Sequence, residues 1–150
     1  MLNNTELETI LPILEKLTPE TQPLWGAMSA QRMIEHLSDA IAIATEKIPV
    51  TAVITDPERI VKMQHWLTTD AEMAHNIEVP FAGKNVPLRN EEIELALDEL
   101  VDELLYFEEY FAGNDSKTSL HPFYGQLNYT QWQLLNKKHL THHFKQFGLI

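Results

Sequence analysis

The chain contains no cysteine in its 150 residues. That absence removes disulfide bonds, thiolate metal ligands and a cysteine nucleophile together. Glycine is scarce, with five in the chain, which argues against a fold of many tight turns. Positive charge is scarce too: 11 Lys and Arg stand against 22 Asp and Glu, for a formal net charge of -11. Nucleic-acid backbones and anionic membrane surfaces are bound by clustered Lys and Arg, so neither is an expected partner. No apolar run approaches the ~20 residues that cross a bilayer. The first eight residues are polar and acidic, without the basic and apolar regions of a secretory signal. Together with the lack of cysteine, this leads to an expected cytoplasmic location.

What is present is enough apolar content for a core. Hydrophobic residues make up 44% of the chain, and its length is that of one domain, so residues 1–150 are read as a single domain. Thr5-Glu6-Leu7-Glu8 has the pattern of a capping box at the start of a first helix. Pro12 should kink or split that helix. Ser29 is the expected N-cap of a second helix to about Lys47, with Met33, Leu37, Ala40, Ile41 and Ala44 as its apolar stripe. Asp56-Pro57 starts a shorter helix to about Leu67. Residues 71–89, with Pro80, Gly83 and Pro87, form the longest expected loop and the place for a lid or a partner contact.

Asn90 is read as the cap of the strongest helix, with Glu91 and Glu92 in its first turn, where the helix dipole favours negative charge. Its continuous face is Ile93, Leu97, Leu100, Leu104, Phe107 and Phe111, and Gly113 stops it. The last helix is expected to open on a capping box at Thr130-Gln131-Trp132-Gln133 and to end at Gly148. No segment alternates at period two over more than a few residues. The expected fold class is therefore all-α: a four-helix bundle with a crossover loop and a short extra helix.

The last helix carries Leu135, His139, His143 and Phe147 at spacings of four, so the two histidines share a face with core residues. Imidazoles at i and i+4 can converge on one ion at Zn–N bonds of about 2.0–2.1 Å. A third ligand must come from another helix, and His36 lies at the edge of the second helix's apolar stripe. The spacing alone has little specificity, because seven histidines in this length give about 0.3 such pairs by chance. Two readings stand at this point. Either a metal joins these imidazoles, or carboxylates and carbonyls satisfy them by hydrogen bonds. Glu35 and Asp39 are the nearest carboxylates in sequence to His36. His142 offers a general base, or a residue facing solvent or a neighbouring helix. His121, with Phe123 and Tyr124, either lines a pocket mouth or packs under the bundle end. His65 and His75 have no partner at ligand spacing and are read as surface or loop residues. Trp25, Trp66 and Trp132 are read as packing anchors, and the acidic runs near Glu91 and Glu108 as solvated helix faces.

Residues 28–37, MSAQRMIEHL, resemble the second-helix segment of the DinB-like (YfiT-like) superfamily. Residues 121–125, HPFYG, and Trp132 followed by residues 139–148, HLTHHFKQFG, resemble an uncharacterised subfamily of it. The resemblance covers nearly the whole chain, and the closing segment is its most specific part. It implies a four-helix bundle, often dimeric, with a metal held by one histidine of the second helix and an H-x-x-x-H of the last. Those positions fall on His36, His139 and His143. Three neutral imidazoles suit zinc or nickel, the expected cofactor. The function implied is metal-dependent transfer or hydrolysis on a small-molecule substrate, with a low-molecular-weight thiol as a cosubstrate of some members. The alternative is a non-catalytic bundle that binds a small molecule or a protein.

Overall fold

The computed structural model describes residues 1–75 and 86–150. In chain order the elements are α1 (Leu7–Leu14), α2 (Ala30–Ala44), α3 (Pro57–Leu67), α4 (Ile93–Phe111), β1 (Thr118–His121), β2 (Gly125–Asn128) and α5 (Tyr129–Gln146). The expected all-α four-helix bundle is thereby corrected. Among the described residues the fold has five helices and a two-stranded antiparallel sheet, an α/β mix.

The hairpin escaped the sequence pattern for a physical reason. Each strand is four residues long, and the inward-facing residue of β1 is polar. Ser119 is buried because its hydroxyl donates to the Ala44 carbonyl at 2.6 Å, closing the C-terminus of α2. On β2 the matching inward residue is Leu127, which pairs with Ser119 across the ladder and is fully buried. A three-residue loop, 122–124, joins the strands, and Gly125 opens β2 at a φ of +73° that suits glycine there. Asn128 is both the last strand residue and the N-cap of α5. It forms a capping box with Gln131, two residues ahead of the expected box at Thr130.

Other helix ends follow the sequence more closely. The Ser29 side chain accepts from the Arg32 N–H at 3.1 Å, as an N-cap should. Pro57 opens α3. A Schellman motif closes α5, with Gly148 at φ +66° and the Leu149 N–H donating to Phe144 O at 2.8 Å. Two expected caps are replaced. Helix α1 begins at Leu7, and Asn4 rather than Thr5 accepts from the Glu6 N–H. The helix runs through Pro12 and ends after eight residues. Helix α4 begins at Ile93 with Glu92 as its cap, because Asn90 is engaged by Glu35.

One cluster of buried side chains joins α1, α2, α4, β2, α5 and both ends of the chain. Helices α2 and α4 form its centre, through Met33, Leu37 and Ile41 on one side and Ala96, Leu100 and Phe107 on the other. Helix α5 lies against α2 with Leu140 and Phe144 inward. Helix α3 packs on α5 and adds Leu67 to the core, and its Gln64 reaches the hairpin, donating to the Tyr124 and Gln126 carbonyls. Residues 86–90 have no regular structure, and Pro80 and Gly83 of the expected loop lie outside the described residues.

Candidate metal centre

Helix α2 supplies His36, and α5 supplies His139 and His143 one turn apart. Because α2 packs on α5, the three rings meet. His36 Nε2 lies 2.9 Å from His139 Nε2, and His143 Nε2 lies 3.1 Å from the same atom. The rings are edge to face, with centroids 4.8 to 5.0 Å apart. One ligating nitrogen from each lies within 4.8 Å of the others. Leu135 and Phe147, which share this face of α5, are buried as expected.

The tautomer of His143 follows from its neighbours. Gln146 Nε2 donates to the Trp25 carbonyl at 3.0 Å, so Gln146 Oε1 is free to accept. It accepts from His143 Nδ1 at 2.7 Å. The proton of His143 therefore sits on Nδ1, and Nε2 presents a lone pair to the cluster. His139 Nε2 carries at most one proton and cannot make a full hydrogen bond to both neighbours. A cation among the three would take every lone pair. Two nitrogens on one tetrahedral zinc stand about 3.3 Å apart, given Zn–N bonds near 2.05 Å, so the 2.9 and 3.1 Å pairs must open slightly while the triad, which spans up to 4.8 Å, closes around the ion. The donor set fits a divalent ion.

Electrostatics favour the neutral, ligating form. Burial pushes His36 down to about 4, and the nearby Arg32 and His142 add to it. Burial pushes His143 down to about 3, against the bond from Gln146. His139 is driven well below the ordinary histidine value by burial and by its two partners. The neutral ring is favoured at all three, so metal binding asks only that each ring carry its proton on Nδ1.

Several sequence expectations resolve here. Glu35 and Asp39 do not orient His36. The Glu35 carboxylate is buried and accepts from the Arg89 and Asn90 backbone N–H groups and from the Asn90 and Gln31 side chains. Asp39 pairs with Arg89 at 2.9 Å. Gln146, three residues after His143 on the same helix, is the orienting residue that sequence reasoning missed; an amide at i+3 was the available signal. His142 stays outside the ligand set. Its ring packs edge-on to His143, Trp25 and His75, and it is bonded to the Met73 backbone. His75 stacks on Trp25 with centroids 3.7 Å apart, a contact no spacing announced. His121 packs against Trp132 and Tyr124, and its Nδ1 accepts from the Phe123 and Tyr124 N–H groups. Trp132 is buried, as an anchor should be. Two surface clefts, one beside Ile43 and Leu120 and one beside Leu14 and Val101, include no histidine of the cluster in their lining.

The fold and site together define a predominantly helical protein with a three-histidine cluster built between two helices. Among the described residues no helix is long and apolar enough to cross a membrane. The chain belongs to the family described as "Protein of unknown function (DUF1569)", whose model matches residues 2–148. No curated protein and no solved structure matches it.

Proposed function

We propose that this protein binds one divalent metal ion, zinc or nickel, through His36, His139 and His143, and uses it in metal-dependent chemistry on a small molecule. The observation that carries the reading is the convergence of three neutral imidazole Nε2 atoms, one of them set in its ligating tautomer by Gln146. Three protein ligands leave coordination positions open, which is the pattern of catalytic rather than structural zinc sites. A divalent ion supplies Lewis acidity, which makes a nucleophile of water or of an external low-molecular-weight thiol, in a chain that has no cysteine of its own. Hydrolysis and thiol transfer are the two reaction classes this permits. The protein's own residues bind and orient: α5 sets two ligands at helical spacing, α2 brings the third, and Gln146 holds the His143 ring and its proton.

The resemblance to DinB-like proteins supports the ligand assignment and carries the proposals of a thiol cosubstrate and a homodimer. The cysteine-free composition supports a cytoplasmic setting. The competing reading is a non-catalytic binding module. The observation on its side is that one of the two Nε2 contacts, at 2.9 or 3.1 Å, has the length of a direct hydrogen bond between imidazoles.

Metal analysis of untagged protein decides between them. The proposal expects one ion per chain, lost in His143→Ala while the helical circular dichroism persists. Wild-type protein that contains no ion, and takes up none when zinc or nickel is added, overturns it.

A further inference from the structure

Arg32 is the other unusual group beside this cluster. It sits on α2 one turn before His36, so the two side chains share a face. Its residue is only 5% exposed. Its Nη1 comes within 3.9 Å of Asp39 Oδ2, two helical turns further along α2. To reach that point the side chain must run along the stretch of α2 that carries His36.

This cation is poorly satisfied. Nε and Nη1 are both shielded from water and neither has a hydrogen-bond partner. The guanidinium has two forked edges, Nε with Nη2 and Nη1 with Nη2, so each edge holds an unpartnered nitrogen. Asp39 does not repair this. Its oxygen stands beyond hydrogen-bond distance of Arg32, and its other oxygen is held at 2.9 Å by Arg89. Glu35, the other nearby carboxylate on α2, is taken up by four donors from Gln31, Arg89 and Asn90. An arginine cannot shed its proton to relieve the cost of burial. Buried donors without acceptors are expensive, and two on one guanidinium call for an explanation such as a ligand that completes them.

We propose that Arg32 is an anion-binding residue of the histidine centre, and that the small molecule bound there carries a carboxylate or phosphate group held about one helical turn from the ligating nitrogens. This rests on the proposed metal-site reading, but it can be tested apart from it. Planar carboxylates and phosphate oxygens both match a guanidinium edge. Lysine, with a single point charge, does not reproduce that edge.

The test uses the full chain, with metal content measured before any anion is added. Formate, the smallest carboxylate, is titrated into wild type, Arg32→Met and Arg32→Lys by calorimetry, and inorganic phosphate is titrated in parallel. The Arg32 Nε–H resonance is followed by ¹⁵N NMR. The expected result is binding of formate or phosphate to wild type that moves this resonance and weakens at least tenfold in Arg32→Met, with only partial recovery in Arg32→Lys. The anion that binds tighter identifies carboxylate or phosphate as the source. Arg32→Met should keep the wild-type metal stoichiometry and melt at the same or a higher temperature, since it removes a buried charge that lacks partners. Equal anion affinity in wild type and Arg32→Met overturns the proposal. So does unfolding of Arg32→Met, because Arg32 would then be holding the fold. Metal-free wild type that still binds formate through Arg32 supports the anion site while the metal reading fails by itself.

Discussion

Gln146→Leu is the most informative perturbation of the histidine cluster. The wild-type amide does two things at once: it accepts from His143 Nδ1 at 2.7 Å and donates to the Trp25 carbonyl at 3.0 Å. Leucine has similar volume and neither function. Losing the acceptor frees the His143 proton to move to Nε2, which removes the ligating lone pair in that tautomer. Partners of this kind are worth about 10–100-fold in metal affinity, or roughly 1.4–2.7 kcal/mol. The change also leaves two buried polar groups unpaired, for about 3 kcal/mol of stability and a Tm fall of roughly 6–12 °C in a chain of this size. Gln146→Glu separates the two effects. It keeps the acceptor for His143 and loses the donor to Trp25, so stability should drop while metal affinity holds or rises. Competition with a chromophoric chelator measures affinity, thermal melts measure stability, and long-range ¹H–¹⁵N spectra of the metal-free protein read the His143 tautomer. Wild-type metal affinity in a folded Gln146→Leu variant, or a His143 proton found on Nε2 in wild type, would refute the reasoning.

His36→Ala should abolish stoichiometric zinc uptake, and with it the stabilisation of about 2.7 kcal/mol that wild type gains at a free metal concentration 100 times Kd; differential scanning calorimetry with and without zinc checks this. Glu35→Ala should cost about 3 kcal/mol in urea denaturation, because it orphans the donors of Gln31, Arg89 and Asn90 that the carboxylate gathers. Leu100→Ala, at a fully buried position of α4, should cost about 2–5 kcal/mol by the same measurement. Acid should destabilise the protein through His121, which burial lowers to about 4 from an ordinary 6.5. The unfolded chain takes up that proton first as pH falls, so the stability is complete above pH 6.5, is lost between 6.5 and about 4, and amounts to something on the order of 3 kcal/mol. Denaturation midpoints at pH 7 and pH 5 should differ in that direction, and less so in His121→Gln.

The amino-acid order by itself determined the helices that carry strong local signals. Ser29 caps α2, Pro57 opens α3 and Gly148 closes α5, because each acts on backbone groups within a few residues of itself. The i,i+4 spacing likewise set His139 and His143 on one face, with Leu135 and Phe147 turned inward beside them. Tertiary structure decided the rest. The β1–β2 hairpin depends on a buried serine whose acceptor, Ala44, is 75 residues away, so no hydropathy pattern could reveal it. Asn90 lost its expected capping role to a carboxylate 55 residues distant. The same holds for the centre itself: His36 meets His139 across 103 residues, Gln146 can hold the His143 proton on Nδ1 because its amide is anchored by the Trp25 carbonyl, and the packing around Arg32 leaves its Nε and Nη1 without hydrogen-bond partners. Local propensity reaches about one helical turn, whereas a site assembled from two helices depends on contacts that exist only after the chain has closed on itself.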